Sequence, residues 1–376
     1  MKRLAILSTH PIQYNAPLFR QMAEQEEWNV HVFFSRTSKQ VSYDPDFQRE
    51  VVWDTPLTEG YAHSYVDATT PSGKKALKQS IEAFQPNALL VYGWNFPGHL
   101  HVMRKLHGKI PIWFRGDSHL IDPMPFWKRR LRKSLLTWVY RHVDHCFSVG
   151  SNNSDYFRWC GVNPSRLSTA YHAIDHTWFE LDHPSRIDLI QSWRRQLGIS
   201  HSAKIILFAG KLEPKKAPKL LIQAWQKLSD LDTHLIIAGS GILKNSLEQE
   251  FKSISRLHFV GFQNQSTMPI LYHMADVFCL PSSGPGETWG LAVNEALSCG
   301  TPCVVSDKVG GARDMLTSTS LGAIFDSNNL KSLSEALRSQ LQAPSPDAEL
   351  LATHRAQFSF DAFTQQITKQ WNAIGL

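Results

Sequence analysis

Glu287 and Glu295 stand seven residues apart in the run Gly286-Glu287-Thr288-Trp289-Gly290-Leu291-Ala292-Val293-Asn294-Glu295-Ala296-Leu297-Ser298-Cys299-Gly300-Thr301-Pro302. The run follows a β-like stretch at 277–280 through Pro281-Ser282-Ser283-Gly284-Pro285, which places Glu287 where a loop meets a helix N-terminus. Glu295 then lies about two turns further along the same helix, so both carboxylates can face one elongated ligand. The backbone N–H groups of Thr288, Trp289, Gly290 and Leu291 would point at a phosphate or other anion. A plainer account makes Glu287 an acid favoured by the helix dipole and Glu295 an ordinary helix residue. Against it stands Phe208-Ala209-Gly210-Lys211-Leu212-Glu213-Pro214-Lys215-Lys216-Ala217-Pro218, directly after the first β-like run of the same half. Lys211 and Lys216 carry compact charges suited to a diphosphate, although a solvated lysine cluster has the same composition.

The elements that must position these residues alternate between short β-rich runs and helical stretches, which argues for an α/β chain with parallel sheets and helices on both faces. Strands are expected at 4–8, 30–34, 88–92, 111–114 and 145–149, with helices near 17–24, 74–84 and 97–106. The pattern restarts with strands at 205–209, 234–238, 258–260, 277–280 and 303–306, separated by helices such as 219–227 and 291–298. Two doubly wound, Rossmann-like domains follow, 1–180 and 181–356, joined through a polar stretch at 175–202. Beyond Pro344-Ser345-Pro346, Phe360, Phe363, Ile367 and Trp371 recur at helical spacing and give one last helix an apolar face that must dock.

Composition narrows the classes. The chain has 376 residues, 42% hydrophobic and 19% charged, enough apolar material for two cores and too little charge for a disordered chain. Lys plus Arg number 39 against 33 Asp plus Glu, a formal charge of +6 that suits phosphate-bearing or anionic partners. The opening apolar run is too short for a signal-peptide core and no run approaches a membrane span, so a cytoplasmic chain is expected. Five scattered cysteines, Cys146, Cys160, Cys279, Cys299 and Cys303, fit a reducing compartment better than a disulfide framework. No paired metal motif accompanies Cys299-x3-Cys303, and no metal or cofactor is expected. Gly239-Ser240-Gly241-Ile242-Leu243-Lys244 lacks the third glycine of a dinucleotide fingerprint, which sets dehydrogenases aside.

In its second half the sequence resembles the family 4 retaining glycosyltransferases, the glycosyl transferases group 1. The resemblance rests on Glu287-x7-Glu295, the Gly210-Lys211-Leu212-x3-Lys216 loop, Gly239-Ser240-Gly241, Phe259-Val260-Gly261-Phe262, Ala275-Asp276-Val277 and Gly300-Thr301-Pro302, which occur in the family's order and span most of 203–342. It implies the GT-B architecture, two Rossmann-like domains facing a central cleft, with 181–356 binding a nucleoside diphosphate sugar, 1–180 binding the acceptor, and a C-terminal helix, 357–376, packing back on the first domain. It also implies transfer with retention and without metal. Glu295 would then hydrogen-bond the ribose, Glu287 would contact the transferred sugar, Lys211 and Lys216 would hold the diphosphate, and loops near Gly241 and Phe262 would surround the base. Lys211 replaces the family's more usual Arg and Ala217 a usual Gly, so bidentate phosphate contact is lost while charge is kept.

The first half resembles the family less. Its opening strand leads into Thr9-His10-Pro11-Ile12-Gln13-Tyr14-Asn15 in place of a Gly-rich loop; His10, Gln13 and Tyr14 either read acceptor hydroxyls or are turn residues. Arg115-Gly116-Asp117-Ser118-His119 lies near where the family places a histidine beside the reacting sugar. His119 could donate a hydrogen bond to the sugar or position the acceptor, or be a structural histidine; Asp117 could instead take the acceptor's proton, with Arg115 a further candidate on the acceptor side. Ala170-Tyr171-His172-Ala173-Ile174-Asp175 resembles the family's domain junction.

The densest basic patch runs from Phe126 to His142. As a helix it either meets an anionic membrane face with mixed cationic and Trp/Leu surface, or buries an apolar side and leaves a basic side in water. The first alternative makes the protein peripheral at the inner face of the cell membrane and suits a lipid-linked or glycan acceptor in bacterial surface polysaccharide or lipopolysaccharide synthesis. The competing functions are a basic nucleic-acid-binding protein and a nucleotide-sugar epimerase or phosphorylase on the same fold.

Overall fold

The computed structural model describes residues 1–36, 42–44, 49–180 and 184–375. Along the chain the first strands are β1 (Lys2–Ser8), β2 (Trp28–Phe34), β3 (Ser42–Asp44), β4 (Arg49–Val51), β5 (Ala62–Tyr65), β6 (Ala88–Tyr92), β7 (Ile112–Gly116), β8 (His145–Ser148) and β9 (Leu167–Thr169). Then follow β10 (Lys204–Ala209), β11 (Thr233–Ala238), β12 (Leu257–Gly261), β13 (Val277–Leu280), β14 (Cys303–Ser306) and β15 (Gly322–Phe325).

Two compact units emerge: Met1–Gln40, Thr55–Ala173 and Ser359–Leu376 form the first, Val41–Asp54 and Ile174–Phe358 the second. The expected boundary at 180/181 adjoins 181–183, which lie outside the described residues. The first unit holds a parallel sheet ordered β5-β2-β1-β6-β7-β8-β9, the second one ordered β12-β11-β10-β13-β14-β15, and β3 pairs antiparallel with β4. Both large sheets are doubly wound, reversing direction at one point: between β1 and β6, and between β10 and β13. Central strands covered on both faces must be apolar throughout, and Leu4–Leu7, Ala88–Val91 and Ile205–Phe208 are fully buried.

Nearly all the central strands expected from sequence are present within a residue or two, as are the helices Ala16–Glu24, Pro71–Phe84, His99–Leu106, Pro218–Gln226 and Leu291–Ser298. The strands the sequence did not signal are β3, β4, β5, β9 and β15, three or four residues each, and β5, β9 and β15 are sheet edges where little apolar surface is required. Ser359 caps the last helix, Phe360–Ala373, by accepting from the Ala362 N–H. Its Phe363, Ile367 and Trp371 are buried in the first unit, with the Trp371 ring edge-on to Trp28 and Trp113 at 5.0 and 5.8 Å. A segment more than two hundred residues downstream thereby completes a core begun at the N-terminus. Among the described residues no helix is long and apolar enough to cross a membrane.

Candidate functional site

In the second unit, β10 and β13 flank the reversal point, so the loops leaving their carboxyl ends border the crevice that this topology opens. These loops are Gly210–Ala217 and Pro281–Gly290. The Ser283 N–H donates to the Lys215 carbonyl at 2.7 Å, and Lys216 forms an ion pair with the Oε2 of Glu287. The Ser282 hydroxyl donates to the same carboxylate oxygen at 2.8 Å. Lys216 and Glu287 side chains are only 17% and 12% exposed, so the pair is shielded more than a surface ion pair and holds its charges in fixed places.

Backbone approach explains the glycines here. A Cβ on Gly239 would lie 1.9 Å from the Gly210 carbonyl oxygen, and one on Gly310 would lie 1.9 Å from the Thr288 oxygen. Gly310 and Gly311 donate to the carbonyls of Glu287 and Trp289, both at 2.9 Å, and so brace the acidic loop from the end of β14. Leu212 donates to the Ser240 carbonyl at 2.8 Å, linking the lysine loop to the turn that contains Gly241. Lys211 is half-buried in this loop, and Pro214–Lys216 form a 3-10 turn ended by Ala217 at φ +48°.

Several site residues stand elsewhere than their sequence suggested. The helix begins at Leu291, so Glu287 lies on the preceding loop and does not share the helix of Glu295. Gly290, at φ +93°, is its N-cap and offers no side chain, leaving the first N–H groups of the helix without a side-chain cap among the described residues. Of the residues expected to present backbone amides, Thr288 and Trp289 precede the helix, and the Trp289 side chain is buried against Phe358 at 6.0 Å. Its indole is a core element. Glu295 is buried, and the Tyr272 hydroxyl donates to its Oε2 at 2.6 Å. Phe262, half-buried after β12, meets the Trp53 ring edge-on at 6.2 Å, beside the bond from Asn264 Nδ2 to the Val52 carbonyl at 2.7 Å.

In the first unit, the loops after β1 and β7 carry the remaining candidates. His10 is exposed, with Nδ1 2.9 Å from the Thr9 hydroxyl; Gln13 and Tyr14 are half-buried. Asp117 and His119 are half-buried, and His119 Nδ1 accepts from the Ile121 N–H at 3.3 Å. Arg115 does not suit acceptor contact. Its guanidinium is buried, donates to the carbonyls of Ala170 at 2.5 Å and Tyr171 at 3.0 Å, and lies 4.8 Å over the Phe363 ring, so it ties β7 to the chain after β9 and to the last helix. His172 is kept neutral, its pKa pushed down to about 3 by burial and the nearby Arg115 charge, with Asp117 opposing.

Sequence reasoning passed over Ser282, Tyr272, Asn153 and the Gly310-Gly311 pair. Asn153, buried, donates to the Ser118 carbonyl at 2.7 Å and accepts from the Val149 N–H at 3.0 Å, fixing the loop that bears His119. The Ser282-Ser283-Gly284 turn and the double glycine were visible signals; Tyr272 had none, since its partner is 23 residues away. Among the described residues no group of three or more His, Cys, Asp or Glu side chains is placed to hold a metal.

Residues 190–356, which include this loop cluster, match the family described as Glycosyl transferases group 1. The matched stretch lies within the second unit. An uncharacterised glycosyltransferase of Methanocaldococcus jannaschii is 37% identical over 145 residues, 35% of this chain and 36% of the relative. A D-inositol 3-phosphate glycosyltransferase of Corynebacterium glutamicum is 27% identical over 225 residues, 56% of this chain and 52% of the relative. The chain thus spans about half or less of the length of these two relatives. Among solved structures, sucrose-phosphate synthase from Thermosynechococcus elongatus superposes with a TM-score of 0.74 at 17% identity, covering 100% of this chain and 99% of that one. Anabaena HepE, solved in complex with UDP and glucose, gives 0.70 at 15% identity, covering 99% and 100%. At such identities the likeness is one of fold: two parallel α/β sheets with the topology of GT-B glycosyltransferases.

Proposed function

We propose that the protein is a retaining family 4 glycosyltransferase that moves one sugar from a nucleoside diphosphate sugar to a hydroxyl of a glycan or lipid-linked acceptor, in bacterial surface polysaccharide or lipopolysaccharide synthesis and without a bound metal. The observation that carries this reading is the Lys216–Glu287 pair, formed where the lysine loop after β10 meets the acidic loop after β13 at the reversal point of a group 1 unit. In that reading Lys216, with Lys211, neutralises the charge that builds on the departing diphosphate, and the uncapped first turn at Leu291 adds backbone donors. Glu287 accepts hydroxyl hydrogen bonds from the transferred sugar, and Glu295, oriented by Tyr272, accepts those of the ribose. Asp117 takes the acceptor's proton while His119 donates to the sugar.

The test is thermal stabilisation by UDP, GDP, ADP, CDP and their sugars, with EDTA present, on the native protein, Lys216→Ala and Glu295→Gln. A true donor at 100 times its dissociation constant adds about 2.7 kcal/mol. Response to one nucleotide family, lost in both variants, supports the proposal and names the base; the anomeric configuration of the product, read by NMR, decides retention. Silence from every nucleotide overturns it.

A further inference from the structure

We infer that the helix Phe126–Tyr140 is a docking surface for an anionic lipid membrane, with an apolar stripe that enters the interface and a cationic border that meets the headgroups. Every residue from Pro125 to Leu135 is exposed, and this includes four large apolar side chains: Phe126 at 72%, Trp127 at 60%, Leu131 at 65% and Leu135 at 48%. A soluble helix ordinarily turns such residues inward. Here the inward face is set by other residues. Leu136, Val139 and Tyr140 are buried, and the guanidinium groups of Arg129 and Arg132 lie over the rings of Trp159 and Tyr156 at 5.6 and 5.7 Å, on the neighbouring helix Ser151–Trp159. At 3.6 residues per turn those five positions share one side, which leaves Trp127, Leu131 and Leu135, spaced by four, on the opposite side with Lys128 and Arg130 along its two borders.

Charge selects the occupant. Residues 123–143 contain six Lys or Arg and no Asp or Glu, so a zwitterionic or basic partner gains nothing from this surface and an anionic one gains at every turn. The Lys128 ammonium sits 5.3 Å over the Trp127 ring and the Arg130 guanidinium 5.6 Å over the Phe126 ring, so cation and aromatic are presented as one layer, the arrangement that suits the boundary between headgroups and acyl chains. The helix is 15 residues long and heavily charged, which fits lying in the surface and not spanning it.

The inference stands apart from the transferase reading and is tested apart from it, by sedimentation of the full chain with vesicles of phosphatidylcholine alone and of phosphatidylcholine with about one-third phosphatidylglycerol. Binding is expected only to the anionic vesicles, weakening with salt. It should fall at least about tenfold in Lys128→Glu/Arg130→Glu and in Trp127→Gln/Leu131→Gln/Leu135→Gln, while nucleotide-induced stabilisation and far-UV circular dichroism stay as in the native protein. Equal binding to both vesicle types, no binding to either, or variants that bind like the native protein would overturn it. So would a random oligonucleotide that displaces the protein from anionic vesicles at concentrations below its own phosphate equivalence, since that would make nucleic acid the preferred partner.

Discussion

Lys216 and Glu287 are 71 positions apart in the chain and joined by an ion pair, with Ser282 donating to the same carboxylate. If Lys216 neutralises a diphosphate, Lys216→Ala should weaken nucleoside diphosphate binding about 10- to 100-fold, the value of about 1.4 to 2.7 kcal/mol lost from a charge-assisted hydrogen bond. Isothermal titration checks this, and an unchanged dissociation constant would remove Lys216 from the site. Arg115 makes the opposite case. Its bond to the Ala170 carbonyl is buried and that to Tyr171 partly so, and Arg115→Leu should cost about 3 kcal/mol of stability in urea denaturation through two orphaned acceptors. A contact made only to an acceptor would leave stability untouched. The sequence told which residue types stood near strand ends; it did not tell that Arg115 points inward, because that depends on the last helix bringing Phe363 over its guanidinium.

At the scale of elements, the close meeting of β10 and β11 at their carboxyl ends is a tight constraint. A methyl at position 239 would stand 1.9 Å from the Gly210 carbonyl oxygen, so Gly239→Ala should force the two strand ends apart and lower stability by about 3 kcal/mol or more, read as the urea midpoint. Ala217 is the reverse case: it holds the left-handed φ of +48° that ends the 3-10 turn, a conformation that costs any residue with a Cβ. Ala217→Gly relieves roughly 1–2 kcal/mol of steric cost and gives back about half in unfolded-chain entropy, so a small gain in stability is expected from the same measurement. The helix of Glu295 was legible from its apolar run, whereas its start was not. Gly290 takes the N-cap place without a capping side chain, and the glycine pair 310–311 at the end of another strand holds the loop before it.

Over the whole molecule, buried histidines set an acid limit. His99 is buried in the first unit, with its pKa pushed down to about 4 chiefly by burial and opposed by hydrogen bonds to backbone carbonyls. A histidine neutral in the folded chain contributes stability that is complete above the unfolded value near 6.5 and is lost as pH falls toward about 4, because the unfolded chain takes up the proton first. Between pH 6.5 and 5 that loss is about 2 kcal/mol for such a site, and His99→Asn should flatten the fall in melting temperature over that interval. The doubly wound class, the number of units and the two loops rich in Lys, Glu and Gly were determined by the sequence alone, since continuous apolar runs, helical spacing and turn residues are local signals. The juxtaposition of Lys216 with Glu287, the burial of Arg115 and Trp289, and the outward turn of Trp127, Leu131 and Leu135 were decided only by tertiary structure. Each depends on strand order and on which distant helix covers a given face, and neither is encoded within the span of a single element.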